Sequence, residues 1–262
     1  MNSENHGQMQ WLKAEMHAHC NLDPVDWRNC AYSAEELIEE AARLGYQVLA
    51  ITCHDLDVWT EGISAYAAGL GITLVPGMEV STQGGRHTLV YNFRTSAENL
   101  DTLEKIRNLS RPDTLVVAPH PYFPSTKCLG RRVEKYMEGF DAIEISGFHA
   151  RGLDFNRRAR RIAAIHTKPL VGNSDAHQLW QLGRTFTWIQ AEPNPESILH
   201  AVKQGRVRVE SQPLSYAQVA GWMATALFRF VFPYQKARDR QMRPFLQNPA
   251  TGKRALKVAS WK

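Results

Sequence analysis

Histidines and carboxylates recur along this chain at spacings that suit metal-assisted hydrolysis. The densest case is His17-Ala18-His19. If Trp11 to Met16 runs as a short strand, two imidazoles at its end separated by one residue point to the same side, because side chains repeat every second residue along a strand. A pair of nitrogens placed in this way is a pincer for a divalent ion. One His-x-His is weak evidence alone, but similar residues follow later strands: His54, Glu79, His87, His120, Asp175 and His177. Neutral imidazoles and carboxylates without thiolates suit zinc, manganese or iron, and argue against a structural zinc site built on cysteine. Neighbouring divalent ions can share one water and lower its pKa toward about 7 while clamping phosphoryl oxygens. No serine or cysteine nucleophile is then needed, and the catalytic group is the metal-bound hydroxide.

The elements that must position these groups read as alternating strands and helices. Ser33 and Glu36 form a capping box ahead of Leu37, Ile38, Ala41 and Leu44, and Gly45 closes that helix. Val48 to Thr52 delivers His54, Ile72 to Val75 delivers Glu79, and Gly84-Gly85 turns the chain back through His87 into Leu89-Val90-Tyr91. A polar helix from Ser96 precedes Leu115 to Ala118, which delivers His120; Ala142 to Ile145 leads to His149. A helix from Asn156 to His166 precedes Pro169 to Val171, which delivers Asp175 and His177. Apolar strands separated by helices predict a mainly parallel sheet buried on both faces, with functional residues at the carboxyl ends of the strands.

The 262 residues, 44% of them hydrophobic, suffice for one large α/β domain with a tail. The four cysteines show no CxxC pairing and are expected to be reduced, with Cys20 and Cys53 as apolar neighbours of ligands. No stretch combines a positive start, an apolar run and a small-residue cleavage site, so the expected compartment is the cytoplasm. The net charge of +5 belongs to one end. Residues 235–262 carry eight Lys/Arg against Asp239 alone, which leaves 23 basic and 25 acidic residues on 1–234, a net of −2. A general nucleic-acid-binding surface is therefore not implied by the total.

Five segments together, His17-Ala18-His19, Thr52-Cys53-His54-Asp55, Pro76-Gly77-Met78-Glu79, Ala118-Pro119-His120-Pro121 and Ser174-Asp175-Ala176-His177, resemble the ordered motifs of the PHP (polymerase and histidinol phosphatase) metallophosphoesterases. The resemblance runs from about Leu12 to Thr187. It implies a distorted (β/α)7 TIM-like barrel, placed over 11–212, and two or three divalent ions that hydrolyse a phosphate ester; the change of composition after Pro213 and the charge count separately set off a C-terminal helical, basic extension over 213–262. Carried over by position, His17, His19, Glu79 and Asp175 would hold a first ion. Glu79 would bridge to a second held by His87 and His120. His54 and His177 would hold a third with a carboxylate of the first loop, Asp26 or Asp23, of which Asp26 is preferred as nearer the Ser33 cap. The chain departs from the family pattern at Glu15, Cys20 and Cys53, which bears on groups that orient the ligands.

Three rim residues, His149, Arg151 and Arg184, are candidates for substrate binding, the arginines through bidentate contact with phosphate. After Pro213, Val219, Trp222, Met223, Ala226, Leu227, Phe230 and Val231 follow helical spacing. The expectation is a helix packing on the barrel or on a second subunit through 213–234; the sharper alternative is contact of the basic tail with a membrane surface or nucleic acid. The substrate would be a phosphorylated metabolite, a nucleotide or an oligonucleotide end. A non-catalytic metal-binding regulatory module acting through its tail, and a hydrolase of a non-phosphate substrate, are the alternatives.

Overall fold

Strand segments rich in Val, Ile, Leu and Ala alternate with capped helices along most of the chain. In the computed structural model, which describes residues 9–93, 97–109 and 112–231, β1 (Gln10–Ala18) is followed by α1 (Ala34–Arg43), β2 (Val48–Ile51), α2 (Glu61–Gly69) and β3 (Thr73–Leu74). A hairpin of β4 (Gly77–Thr82) and β5 (Arg86–Tyr91) comes next, then α3 (Leu103–Arg107), β6 (Leu115–Ala118), α4 (Arg132–Lys135) and β7 (Ala142–Ser146). The chain continues through α5 (Asn156–Ile165), β8 (Leu170–Asn173), β9 (Thr185–Ala191), α6 (Pro195–Lys203), β10 (Val207–Ser211) and α7 (Tyr216–Val231). Local sequence explains the helix starts. Ser33 accepts from the Glu36 amide while Glu36 reaches back to the Ser33 amide, Thr60 caps α2, and Asn194 caps α6 with Pro195 in its first turn.

Strand pairing is mixed, not mainly parallel. Two five-stranded sheets run β10-β9-β1-β2-β3 and β4-β5-β6-β7-β8. The pairs β1/β2, β2/β3, β6/β7 and β7/β8 are parallel, whereas β9 pairs antiparallel with β1 and β10, and β5 with β4 and β6. Isolated parallel bridges, Ala18 to Ala176 and His54 to Glu79, join the sheets where the candidate ligands lie. One buried cluster draws on strands of both sheets (Leu12, Val48, Leu89, Val117, Val171, Ile189) and on Ile198, Leu199 and Val202 of α6. Another packs Leu37 and Ile38 of α1 against Leu49, Ile51 and Leu74; a third packs Ile106, Val133 and Ile162 against Val90, Val116 and Ile143. Successive residues of β2 and β5 thus go to different apolar layers, which is why these strands read as continuous hydrophobic runs.

Gly172 marks a close approach of β8 to its neighbours. A Cβ there would lie 2.5 Å from Val209 Cγ1 and 3.2 Å from the Phe186 carbonyl oxygen. Gly172→Ala is expected to destabilise the fold by about 1–3 kcal/mol through overpacking, and an unchanged denaturation midpoint would contradict this.

The chain divides into two compact units between Tyr216 and Ala217. Among the described residues no helix is long and apolar enough to cross a membrane. The side chains of Trp222, Leu227 and Phe230, on which the packing expectation rests, and the basic residues of 235–262 lie outside what is described, as does Ser96, the expected start of the polar helix; a 3-10 turn at Ala97–Leu100 and α3 follow it.

Candidate metal centre

The ligand-bearing positions are places where the backbone leaves regular pairing. The β1/β2 register shifts between Glu15 and Ala18, a bulge-type break that re-aims His17. The freed His17 amide donates to Glu15 Oε1 at 3.1 Å. His120 and Asp175, beyond the ends of β6 and β8, take φ of +27° and +51°, a region uncommon for residues with a Cβ and one where strain collects at functional sites. Glu79 and His87 differ from expectation. They sit inside the β4/β5 hairpin instead of beyond a parallel strand, with Glu79 paired to Leu89 and His87 to Ser81.

The structure brings His17, His19, Glu79, His87, His120, Asp175, His54, His177 and Asp26 to one cluster. Asp175 Oδ1 is 3.3 Å from His17 Nε2 and 3.1 Å from His19 Nε2. Glu79 lies 2.9 Å from His87 Nδ1, 3.1 Å from His120 Nε2, 3.1 Å from His54 Nε2 and 3.5 Å from His17 and His19. Four overlapping groups have ligand atoms close enough to share an ion: His17/Glu79/His120, His17/His19/Asp175, His54/Glu79/His87 and His19/Asp23/His54. The third set is looser than expected. Asp26 Oδ2 is 3.4 Å from His177 Nε2 and 3.9 Å from His54 Nδ1, and His54 is grouped with Glu79 and His87 instead.

The two aspartates of the first loop divide clearly. Asp23 is fully buried and accepts from His19 Nδ1 at 2.7 Å, His54 Nδ1 at 2.9 Å and the amides of Val25, Asp26 and His54 at 2.8, 2.7 and 2.9 Å. These five donors occupy its lone pairs, since an ionised carboxylate offers about four acceptor positions. Asp26 has a partly exposed side chain whose Oδ2 faces His177.

Other buried acceptors fix the remaining rings. Glu144 takes His17 Nδ1 at 3.0 Å, the His120 amide at 2.6 Å and Asn173 Nδ2 at 2.8 Å. The Asp175 carbonyl receives His177 Nδ1 at 3.0 Å, and Cys128 Sγ lies 3.2 Å from His120 Nδ1. An imidazole held at one nitrogen presents the other as a ligand, the usual outer arrangement around a bound metal. Consistent with this, His17 Nε2, His54 Nε2 and His87 Nε2 are buried with no hydrogen-bond partner. Such orphaned nitrogens are costly unless something else coordinates them, so the donor set fits divalent metal.

Sequence reading missed Glu144, offered Asp23 as the alternative to Asp26 for a ligand and not as an acceptor for two rings, and gave Glu15 only as a departure that bears on ligand orientation. The available signal was a single acid inside an apolar strand, Ala142-Ile143-Glu144-Ile145 and Ala14-Glu15-Met16, where a buried carboxylate demands partners. Cys20 and Cys53 are buried free thiols 3.7 Å apart. Among the rim candidates, the side-chain hydrogen bonds of His149 and Arg184 go to residues outside the cluster. His149 Nε2 meets Ser211 Oγ at 2.8 Å, Arg184 reaches the Pro213 carbonyl at 3.5 Å, and Arg151 is exposed.

Electrostatics bind the cluster together. Burial works against charge on His17, yet Asp175, Glu144 and Glu79 raise its pKa well above the ordinary value. Burial likewise opposes charge on Glu79, but His87, His17 and His54 hold it well below the usual carboxylate range. For His54 and His177, burial is again outweighed: Glu79 and Asp23 raise the first to about 9, and Asp26 and Asp175 raise the second to about 9. In ion-free protein these rings carry protons below that value, and a metal must displace them. Loading at neutral pH is therefore expected to release protons, with apparent affinity rising from pH 6 toward 9. Calorimetry in buffers of different ionisation enthalpy measures the release, and pH-independent uptake without protons would contradict it.

A family described as PHP-associated (PHP_C) matches residues 154–207. An uncharacterised protein of Methanocaldococcus jannaschii is 26% identical over 149 residues, 54% of this chain and 86% of that protein. A structure from Bifidobacterium adolescentis described as a metal-dependent phosphoesterase superposes with a TM-score of 0.51 at 16% identity, over 63% of this chain and 87% of that one. Endonuclease Q bound to a 27-mer duplex with an abasic lesion superposes with a TM-score of 0.54 at 16% identity, over 77% of this chain and 58% of that one. The match over 154–207 begins inside the region of ordered motifs and runs past its end at about Thr187, and the mixed α/β fold is shared with these neighbours.

Proposed function

We propose that the chain is a metal-dependent hydrolase of phosphate esters. The observation that carries this reading is the convergence of six imidazoles with Glu79, Asp175 and Asp26, in which three buried imidazole nitrogens make no hydrogen bond although carboxylate oxygens lie 3.1 Å from His54 Nε2 and 3.3 Å from His17 Nε2. In this reading His17, His19, Asp175 and Glu79 hold one ion, Glu79 with His87 and His120 a second, and Asp26 with His177 and His54 a third. Zinc, manganese or iron fits the donors, and ions bound there supply Lewis acidity and an activated water. Glu144 keeps the His17 ring and the His120 backbone in place. Asp23 does the same for His19 and His54. The bridges that join the two sheets beside the cluster support a distorted (β/α)7 barrel. His149, Arg151 and Arg184 are assigned to the substrate side of the rim. The metal-dependent phosphoesterase and Endonuclease Q that share the fold favour phosphorus over other substrates. The same reading includes cytoplasmic action on a phosphorylated metabolite, a nucleotide or an oligonucleotide end, and self-association through 213–234. A panel of phosphomonoesters and phosphodiesters assayed after loading with manganese or zinc tests the activity. Turnover that a chelator abolishes and added metal restores is expected; turnover that survives complete metal removal would refute the mechanism.

A further inference from the structure

Two thiols lie beside the clamp that holds the His19 and His54 rings. The β1/β2 pairing sets Ala18 across from Ile51, and the Thr52 amide donates to the Ala18 carbonyl at 2.8 Å. Two residues further along each segment come Cys20 and Cys53, on one face because side chains repeat every second residue. Neighbouring strands stand about 4.7–4.9 Å apart, within the roughly 4.4–6.8 Å between Cα atoms that a disulfide accepts. The two Sγ atoms are 3.7 Å apart, both residues are fully buried, and both belong to the apolar cluster of Leu37, Leu49 and Ile51. Both are positions at which the chain departs from the PHP pattern, so the pair is no part of that pattern.

Each thiol is one residue from a ring that Asp23 holds. Cys20 follows His19, and its carbonyl accepts from the Asp23 amide at 3.0 Å. Cys53 precedes His54, and its carbonyl accepts from the Glu79 amide at 3.3 Å. Asp23 in turn accepts from the two rings at 2.7 Å and 2.9 Å. Drawing the sulfurs from 3.7 Å to a bond of about 2.05 Å moves the backbone on both sides of this clamp, and close packing transmits the displacement. A small oxidant has a way in. His19 stacks on His177 at 4.4 Å between centroids, and the side chains of His177 and Asp175 are 20% and 28% exposed.

We propose that Cys20 and Cys53 form a reversible disulfide with hydrogen peroxide, and that this bond weakens metal binding through His19 and His54. One thiol sulfur attacks peroxide: an S–O bond forms, the O–O bond breaks and a water leaves, giving a sulfenic acid. The second sulfur then displaces the hydroxyl: the S–S bond forms, the S–O bond breaks, and a second water leaves with the remaining thiol proton. The two thiols lose two electrons and two protons, and peroxide accepts both. Burial raises the Cys53 pKa well above the ordinary thiol value, so closure is expected over hours, not seconds. The effect on metal rests on the ligand set of the hydrolase reading above; closure of the disulfide does not.

The test uses the full chain, ion-free or loaded with manganese, treated with hydrogen peroxide and then alkylated. Peptide mapping by mass spectrometry is expected to show a Cys20–Cys53 link that dithiothreitol removes, with Cys30 and Cys128 alkylated. Competition with a chromophoric chelator is expected to give about 10–100-fold lower metal affinity in the linked protein, restored by reduction. Cys20→Ala and Cys53→Ala are each expected to show the same affinity before and after peroxide. The mapping needs no variant, so it decides even where alanine impairs folding. Sulfinic or sulfonic acid at these cysteines without a link, a link through Cys30 or Cys128 instead, or a Cys20–Cys53 link that leaves affinity unchanged would each overturn the proposal. Hydrolysis of bis(p-nitrophenyl) phosphate is read on the reduced, manganese-loaded protein. If it is absent while the link forms and lowers affinity, the hydrolase reading fails and the thiol switch stands; if it is present and no link forms, the reverse holds.

Discussion

Asp175→Ala and His120→Ala should each abolish most phosphoester hydrolysis while leaving the fold intact. The loss should exceed the ten- to hundredfold that follows removal of an outer partner of a ligand. Asp175 is the carboxylate nearest to the Nε2 atoms of both His17 and His19, and His120 lies 3.1 Å from the Glu79 oxygen that also meets His87. Either change therefore removes a donor from the middle of the cluster, not from its edge. The readouts are kcat with a phosphodiester substrate, metal content by mass spectrometry, and far-UV circular dichroism. Both side chains sit where like and unlike charges are already balanced, so some change in apoprotein stability is expected as well. Near-normal turnover in either variant, with metal content confirmed, would falsify the assignment of these residues as ligands.

The second large effect is expected at Asp23, through two imidazoles at once. Burial alone would push its carboxyl upward, but the hydrogen bonds from His19 and His54 hold it well below the usual range. Removing the carboxylate leaves His19 Nδ1, His54 Nδ1 and the amides of Val25, Asp26 and His54 without their acceptor. Each buried donor left unsatisfied costs about 1–3 kcal/mol, so Asp23→Ala is expected to destabilise the protein by several times that of an ordinary surface change. Asp23→Asn keeps the volume and part of the bonding. It should fold, yet bind metal about 10–100-fold more weakly, with depletion at the positions served by both His19 and His54. Asp26→Ala, by contrast, should deplete only the ion near His177. Competition against a chromophoric chelator separates these cases. Wild-type affinity at every position in Asp23→Asn would show that the ring orientations do not depend on it.

The candidate ligands were legible because chemistry and phase coincided. His17, His19, His54, His120, Asp175 and His177 lie next to apolar strand segments, and a reader needs only the alternation of strand and helix to see that they share one end. Ser33 with Glu36 and Asn194 with Pro195 were equally plain, since caps act within a few residues. What local sequence could not express was direction. The reversal of β5 and β9, which makes the sheets mixed, depends on pairing across the molecule, and a strand's apolar run looks the same whichever way its neighbour runs.

Residue identity and order were thus enough to determine that this protein carries imidazoles and carboxylates of the types and phase that suit divalent metal. The tertiary structure alone decided how the acids divide their work. Asp23 and Asp26 are three residues apart and chemically identical, yet one is saturated by five donors and the other faces His177. Glu144 and Glu15 look alike as single acids in apolar strands, but Glu144 braces two ligands while Glu15, its pKa pushed by burial to about 8, receives the His17 and Ser174 amides. The physical reason is that a carboxylate's role is set by the donors that surround it, and those donors come from segments as far apart in the chain as β1 and β8, brought together only by folding.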